Sequence, residues 1–152
     1  TMNSLETEKQ WIMQLLRFHP HALYHHDVSQ ALYTKLAINA VINPLTAILQ
    51  IKNGQLRDYP HKVSTLKQEV FSIYEAIALV YFPDALSHAI DIVIDATSGN
   101  WSSMCQDVKH KRLTENEAVL GYLLKLANNN KLDTPLMADL YQQLALHDAH
   151  YK

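Results

Sequence analysis

The stretch VSTLKQEVFSIYEAIALV, residues 63–80, decides the fold of this chain. Its apolar residues recur at spacings of three and four, which places them along one face of an α-helix. This stripe consists of Val63, Leu66, Val70, Ile73, Ile77 and Val80. An amphipathic helix buries such a face, so the stretch predicts a helix packed in the core of a helical domain or, as the alternative, against a second copy of the chain.

Two more helices are predicted directly after this one. Pro83-Asp84 ends the first helix and begins the next, whose apolar positions extend from Leu86 to Thr97. Ser98-Gly99-Asn100 predicts a turn, and a weakly periodic helix follows from Ser102 to about His110.

The C-terminal part contains two further predicted helices. Thr114-Glu115-Asn116-Glu117 matches a capping box, in which the first and last side chains cap a helix N-terminus and Glu117 is the capping acid. The apolar run that follows ends at Asn128-Asn129-Asn130, and Thr134-Pro135 begins the last helix.

On the N-terminal side of residue 63, Asp27 is a suitable N-cap for a long apolar helix. Pro44 is expected to interrupt that helix, because proline has no N–H group and its ring clashes with the preceding turn. Asn43-Pro44 therefore predicts either a kink or a new helix start, and Asn53-Gly54 predicts the end of the second piece.

The remaining segments complete an all-α prediction. Glu6–Phe18 predicts a short amphipathic helix, and residues 22–25 predict a short extended piece. The 152 residues include only three glycines and five prolines, and 48% of them are hydrophobic. No strand–turn–helix unit and no GxGxxG motif occurs, so the sequence predicts one helical domain or slightly more.

Charge and cysteine content exclude several functional classes. A formal net charge of −2 gives no basic footprint for nucleic acid. Cys105 is the single cysteine, which excludes an internal disulfide or a multi-cysteine zinc site and fits a reducing compartment. No metal site is expected from the clustered histidines, which lack carboxylate or cysteine partners at ligand spacing. They are His19, His21, His25, His26, His147 and His150.

Membrane and secretion signals are also not expected. No apolar run approaches the roughly 18 residues of a membrane span, and the polar N-terminus lacks a signal-peptide core. The predicted location is therefore the cytoplasm.

A row of polar residues, Lys35, Asn39 and Asn43, lies on the otherwise apolar helix that follows Asp27. Spacings of four residues place the three side chains in one line, about 6 Å apart along the axis. A lysine ammonium can protonate a carbonyl oxygen and stabilise an alkoxide. Asparagine amides can orient a carboxylate or hydroxyl group of a substrate. The alternative interpretation is structural: Lys35 extends to the surface, Asn39 is a hydrogen-bonded core amide and Asn43 only caps a helix.

Two sequence blocks resemble one enzyme family. KLAINAVINPLTA at residues 35–47, followed by Asn53-Gly54, closely resembles the signature of ketopantoate reductases (2-dehydropantoate 2-reductases). NWSSMCQD at residues 100–107, followed by Thr114-Glu115, is similar to a second block of that family. The resemblance extends from about Tyr24 to the C-terminus. One departure is Cys105, where family members more often carry a larger apolar residue.

The resemblance implies a fold and a domain division. Residues 27–152 would form a helical substrate-binding and catalytic C-terminal domain of the 6-phosphogluconate dehydrogenase C-terminal-like type, with about six to seven helices. Residues 1–26 would be the end of a nucleotide-binding Rossmann domain and the connector from it. That Rossmann domain of the same protein would be the partner that binds most of the cofactor, NADPH.

The resemblance also implies roles for individual residues. Lys35 would protonate the keto oxygen of the substrate, ketopantoate, while NADPH delivers a hydride. Substrate would be held by Lys35 itself and by Asn39, Asn43, Asn53, Asn100, Ser102 and Ser103. Glu115 would be a second catalytic residue that contacts the substrate or the cofactor. Without the resemblance, Glu115 would be a helix-start charge, Asn53 a helix stop, and the two serines an N-cap pair.

Three functions therefore remain open at this stage. The first is the substrate-side domain of an NADPH-dependent ketopantoate reductase of pantothenate and coenzyme A biosynthesis, inactive without the Rossmann domain. The second is a reductase of another 2-keto acid. The third is a non-catalytic helical module that forms a homodimer.

Overall fold

The computed structural model describes residues 28–151. Six α-helices are present there: α1 Val28–Leu49, α2 Pro60–Ala76, α3 Pro83–Ala96, α4 Ser103–Lys109, α5 Tyr122–Asn129 and α6 Pro135–Asp148. A 3₁₀ helix, Asn53–Asp58, lies between α1 and α2, and a π-helical segment, Glu117–Gly121, continues into α5. No strand occurs in this part of the chain, so the all-α prediction is confirmed. The predictions for Glu6–Phe18 and residues 22–25 lie outside the described residues.

Helix α1 is the centre of the domain. It packs against α2, α3, α4 and α6, and every residue from Ala40 to Ala47 is buried. A helix that is apolar on nearly all sides needs such an environment, because no face of it is suited to water. By length and composition Ser29–Leu49 would also qualify as a membrane span, which we did not expect from the sequence. Half of that window is buried inside the domain, as in the core helix of a globular fold.

The predicted new helix start at Pro44 is wrong, whereas the alternative of a kink there stays a prediction. Helix α1 continues through Pro44 to Leu49, because the surrounding helices bury this stretch and outweigh the local cost of the proline. The helix ends instead where Gln50 adopts a positive φ of 53°. The Ile51 N–H then donates to the Thr46 carbonyl at 3.2 Å, a Schellman-type ending. Asn53-Gly54 is therefore not a helix stop; it begins the 3₁₀ helix.

The stripe of residues 63–80 forms the inner face of α2, although the helix is shorter than predicted. Leu66, Val70 and Ile73 have no exposed surface, so this face belongs to the domain's own core and cannot bind a second copy. The helix ends at Ala76, where Ala78 takes a positive φ of 53°. Val80 lies outside the helix and is 78% exposed.

A buried carboxylate joins α2 to the start of α6. Glu69 accepts hydrogen bonds from the backbone N–H groups of Leu136 at 2.9 Å and Met137 at 2.8 Å. These are first-turn amides, which have no partner within their own helix. Thr134, the N-cap residue, makes no side-chain capping bond. Burial raises the pKa of Glu69, although the two amide bonds act in the opposite direction.

We expect Glu69→Ala to lower the free energy of unfolding by about 1–3 kcal/mol, because two first-turn amides of α6 lose their acceptor. Urea denaturation of the chain measures this change. Gln68→Ala, at an exposed neighbouring position of α2, is the matched control and should shift the value by less than about 0.5 kcal/mol. Equal effects of the two substitutions would contradict a capping role for Glu69.

Candidate functional site

Helix α1 carries the polar row from the surface into the domain. Lys35 is exposed, Asn39 is half-buried and Asn43 is 8% exposed. Because α1 is continuous through Pro44, Asn43 keeps the helical spacing of the row and does not sit at a helix break. The row therefore places a cation at its outer end and amide groups progressively deeper.

The turn after α3 meets the start of the 3₁₀ helix at Asn53. The Asn53 N–H donates to the Asn100 carbonyl at 3.0 Å, and its side-chain Nδ2 donates to Thr97 Oγ1 at 2.9 Å. Asn53 Oδ1 is buried and has no hydrogen-bond partner among the described residues. Two segments predicted to bind one substrate are thus hydrogen-bonded to each other at a buried junction.

Gly54 allows the 3₁₀ helix to lie close to the turn after α3. A Cβ atom at residue 54 would lie 2.7 Å from Ser98 Cβ and 3.0 Å from both the Ser98 Cα and its carbonyl oxygen. The Gly54 N–H donates to that carbonyl at 3.1 Å. Backbone atoms form part of the obstruction, so a side chain at residue 54 would push the two segments apart.

Gly54→Ala is expected to destabilise the chain by about 1–3 kcal/mol, because the added methyl group overpacks this junction. Amide exchange at Asn53 should accelerate as its bond to Asn100 weakens. Gly99→Ala is the control, since a Cβ atom there has no neighbour within 4 Å. Comparable melting temperatures for the two variants would show that the junction tolerates a side chain.

The two serines of the second block have different environments. Ser102 is buried and caps α4, because its Oγ accepts from the Cys105 N–H at 3.0 Å. Ser103 is exposed in the first turn of α4. The Ser103 hydroxyl is therefore accessible to a ligand, whereas Ser102 has a structural role in addition to any ligand contact.

Thr46 connects the first block to the second and was missed in the sequence. Its Oγ1 lies 2.7 Å from Ser102 Oγ and 2.8 Å from the Ile42 carbonyl oxygen. A hydroxyl has a single proton, so every group is satisfied when Ser102 donates to Thr46 and Thr46 donates to Ile42. This link fixes α1 against the N-terminus of α4. Nothing in the local pattern of residues 35–47 distinguishes Thr46 from a core position.

A double-mutant cycle of Thr46→Val and Ser102→Ala should reveal this link. Each single change is expected to cost about 1–3 kcal/mol, because it leaves the other hydroxyl buried without its partner. The double variant should lose less stability than the sum of the single losses, by about 0.5–3 kcal/mol. Strictly additive losses in urea denaturation would show that the two hydroxyls do not interact.

Two lysines lie over the indole ring of Trp101, beside Asn100. Lys109 Nζ is 4.7 Å from the ring centroid and Lys52 Nζ is 5.9 Å from it. Both distances are within the range of cation–π attraction. These cations add positive charge next to Asn53 and Asn100, and we did not identify them in the sequence.

Glu115 is exposed in the turn before the π-helical segment. The predicted capping box does not form around it. The Thr114 N–H donates to Asp148 Oδ1 at 3.0 Å, and Glu117 Oε2 accepts from the Tyr141 hydroxyl at 2.7 Å. That hydrogen bond raises the pKa of Tyr141. Thr114 keeps a local cap, because its Oγ1 accepts from the Asn116 N–H at 3.2 Å, whereas long-range contacts with α6 replace the reciprocal bond expected from Glu117.

Two pockets in the domain are lined by residues other than the predicted site residues. One of about 210 Å³ lies between Arg57, Lys67 and Asp91, and its charged groups are already bonded to one another. A second of about 170 Å³ lies between Tyr33 and Phe82. Within residues 28–151, no group of three or more His, Cys, Asp or Glu residues could hold a metal ion. Four of the clustered histidines, His19 to His26, precede the described part of the chain.

Comparison with known protein families identifies the family of this chain. A family model described as ketopantoate reductase PanE/ApbA C terminal matches residues 27–148. The chain belongs to this family. The 2-dehydropantoate 2-reductase of Yersinia pestis is 35% identical over 133 residues, which cover 88% of the chain and 44% of that protein. The chain therefore spans less than half the length of this curated relative.

Solved structures of ketopantoate reductases and other dehydrogenases share the fold. The crystal structure of a probable 2-dehydropantoate 2-reductase from Bacillus subtilis has 35% sequence identity and a TM-score of 0.73, covering 82% of the chain and 42% of that structure. D-mandelate dehydrogenase with NADH and anilino(oxo)acetate has a TM-score of 0.76 at 17% identity. It covers 99% of the chain and 64% of that structure, and at this identity it shows the fold alone.

Proposed function

We propose that this chain is the substrate-side domain of an NADPH-dependent ketopantoate reductase, which reduces 2-dehydropantoate to pantoate. The observation that carries the proposal is the row Lys35, Asn39 and Asn43 on the buried helix α1, joined to the second family block by the Thr46–Ser102 bond. The row presents a lysine ammonium group at its exposed end and asparagine amides on the same helical face.

Lys35 supplies the proton in this reaction. Its exposed ammonium group donates to the keto oxygen, and its charge stabilises the oxyanion that forms there. NADPH, when bound, supplies the hydride to the keto carbon. Asn39 and Asn43 donate amide hydrogens that orient the substrate.

The second block and its neighbours complete the substrate contacts. Asn100 and Ser103 are exposed and can reach a substrate, and the backbone N–H of the buried Asn53 bonds to the Asn100 carbonyl and holds it in place. Lys52 and Lys109 add positive charge that attracts a carboxylate substrate. These groups match the functional groups of a hydroxylated 2-keto acid.

The described residues can supply only a small part of the NADPH site. They contain helices and no strand that could precede a glycine-rich phosphate loop. The exposed Glu115 carboxylate is suited to accept a hydrogen bond from a hydroxyl group of the substrate or of the nicotinamide ribose. We therefore propose that a nucleotide-binding Rossmann domain of the same protein binds most of NADPH, with residues 1–26 as its last part and connector, in the cytoplasm.

A reductase of another 2-keto acid would use the same proton donor and amides. Initial rates with a panel of 2-keto acids at fixed NADPH distinguish the two possibilities, since ketopantoate should give the highest kcat/KM. Equal kcat/KM values for all the keto acids, or a higher value for another one, would show that ketopantoate is not the specific substrate. A non-catalytic helical module would reduce none of them.

We expect no NADPH oxidation by the 152-residue chain alone, because hydride transfer needs the nucleotide-binding domain. In the longer polypeptide that carries both domains, Lys35→Ala should lower kcat by about 10²- to 10⁴-fold through loss of the general acid. Lys62→Ala, at an exposed lysine of α2, is the control and should leave kcat unchanged. An unchanged kcat for Lys35→Ala would show that Lys35 is not the general acid. NADPH oxidation by the 152-residue chain alone would show that the reaction does not need a separate nucleotide-binding domain.

A further inference from the structure

Glu115 is exposed, but the residues on both sides of it are fixed to helix α6. Thr114 precedes it and bonds to Asp148, and Asn116 follows it and bonds to the Tyr141 carbonyl. The backbone of the turn is thus held at two points, and the Glu115 side chain faces solvent between them.

The contact with Asp148 uses both carboxylate oxygens. Oδ1 accepts from the Thr114 N–H at 3.0 Å, and Oδ2 accepts from the Thr114 hydroxyl at 2.8 Å. Thr114 Oγ1 in turn accepts from the Asn116 N–H at 3.2 Å. A charged acceptor with two donors on one residue fixes position and orientation together.

The second contact lies on the other side of Glu115. Asn116 is 2% exposed, and its Nδ2 donates to the Tyr141 carbonyl at 2.9 Å. The π-helical segment Glu117–Gly121 begins directly afterwards, and the Tyr141 hydroxyl donates to Glu117. π-helical turns are rare and occur frequently at functional sites.

The stability of α6 does not account for the position of Asp148. It is the last residue of α6 and only 6% exposed. A carboxylate at a helix C-terminus does not gain from the helix dipole. Both carboxylate oxygens of Asp148 accept hydrogen bonds from Thr114, so Asp148 links the end of α6 to the turn that carries Glu115.

We propose that Asp148 is a positioning residue for Glu115, which it serves by holding the turn Thr114–Asn116 against α6. This inference rests on the function proposed above, in which the Glu115 carboxylate contacts the substrate or the cofactor. Asp148 itself is buried beneath the turn and takes no part in the chemistry.

The test uses the polypeptide that carries both domains, with NADPH and ketopantoate, and compares kcat/KM for Asp148→Ala, Glu115→Ala and the double variant. Asp148→Ala should lower kcat/KM by about 10- to 100-fold, because a small displacement of a positioned group is costly. In the Glu115→Ala background, the same change should cost less than about threefold. Asp148→Asn should recover most of the loss, since its amide can accept from the Thr114 N–H and donate to the hydroxyl.

Glu69→Ala is the matched control, because it removes a buried carboxylate that bonds the opposite end of α6. It should lower stability while leaving kcat/KM near the wild-type value. An equal loss of kcat/KM in Glu69→Ala, or an equal effect of Asp148→Ala with and without Glu115, would overturn the proposal. Glu115→Ala with unchanged kcat/KM would overturn it as well.

A wild-type polypeptide that reduces no 2-keto acid would refute the proposed function separately. Amide exchange then decides whether Asp148 holds the turn. Exchange at residues 114–117 should accelerate in Asp148→Ala and stay unchanged in Glu69→Ala. Unchanged exchange in both variants would overturn the positioning role on structural grounds alone.

Discussion

The burial of the C-terminal half of helix α1, from Ala40 to Ala47, is the constraint on which the rest of the structure depends. Four other helices pack around it, and any polar group along it must find a partner or face a ligand, since an unpaired buried polar group is costly. Thr46 meets this requirement through Ser102 and the Ile42 carbonyl. Asn39 and Lys35 meet it by lying progressively nearer the surface. The polar row thus extends along one helix from the buried Asn43 to the exposed Lys35.

The fold class follows from sequence periodicity, whereas helix ends depend on long-range packing. The stripe of residues 63–80 correctly predicted the inner face of α2. Its end at Ala76 was not predictable, because Ala78 adopts a positive φ that alanine disfavours in isolation. Gln50 ends α1 in the same way, while the stronger local signals at Pro44 and Asn53-Gly54 were overridden.

The candidate site was predictable to the extent that its residues are close in sequence. Lys35, Asn39 and Asn43 share a helical face, and helical spacing alone groups them. The groups that hold the site together come from distant parts of the chain. Thr46 and Ser102 are 56 residues apart, and Thr114 and Asp148 are 34 apart. A threonine in a core helix and an aspartate near the C-terminus carry no local sign of these roles.

The Thr46–Ser102 link differs in kind from the contacts at the two ends of α6. Glu69 and Asp148 accept their hydrogen bonds through ionisable carboxylate groups. The hydroxyl chain from Cys105 N–H through Ser102 and Thr46 to Ile42 contains no group that titrates at ordinary pH. The spacing between α1 and α4 is therefore independent of acidity. The two substrate-binding blocks thus keep their mutual geometry whatever the acidity of the solution.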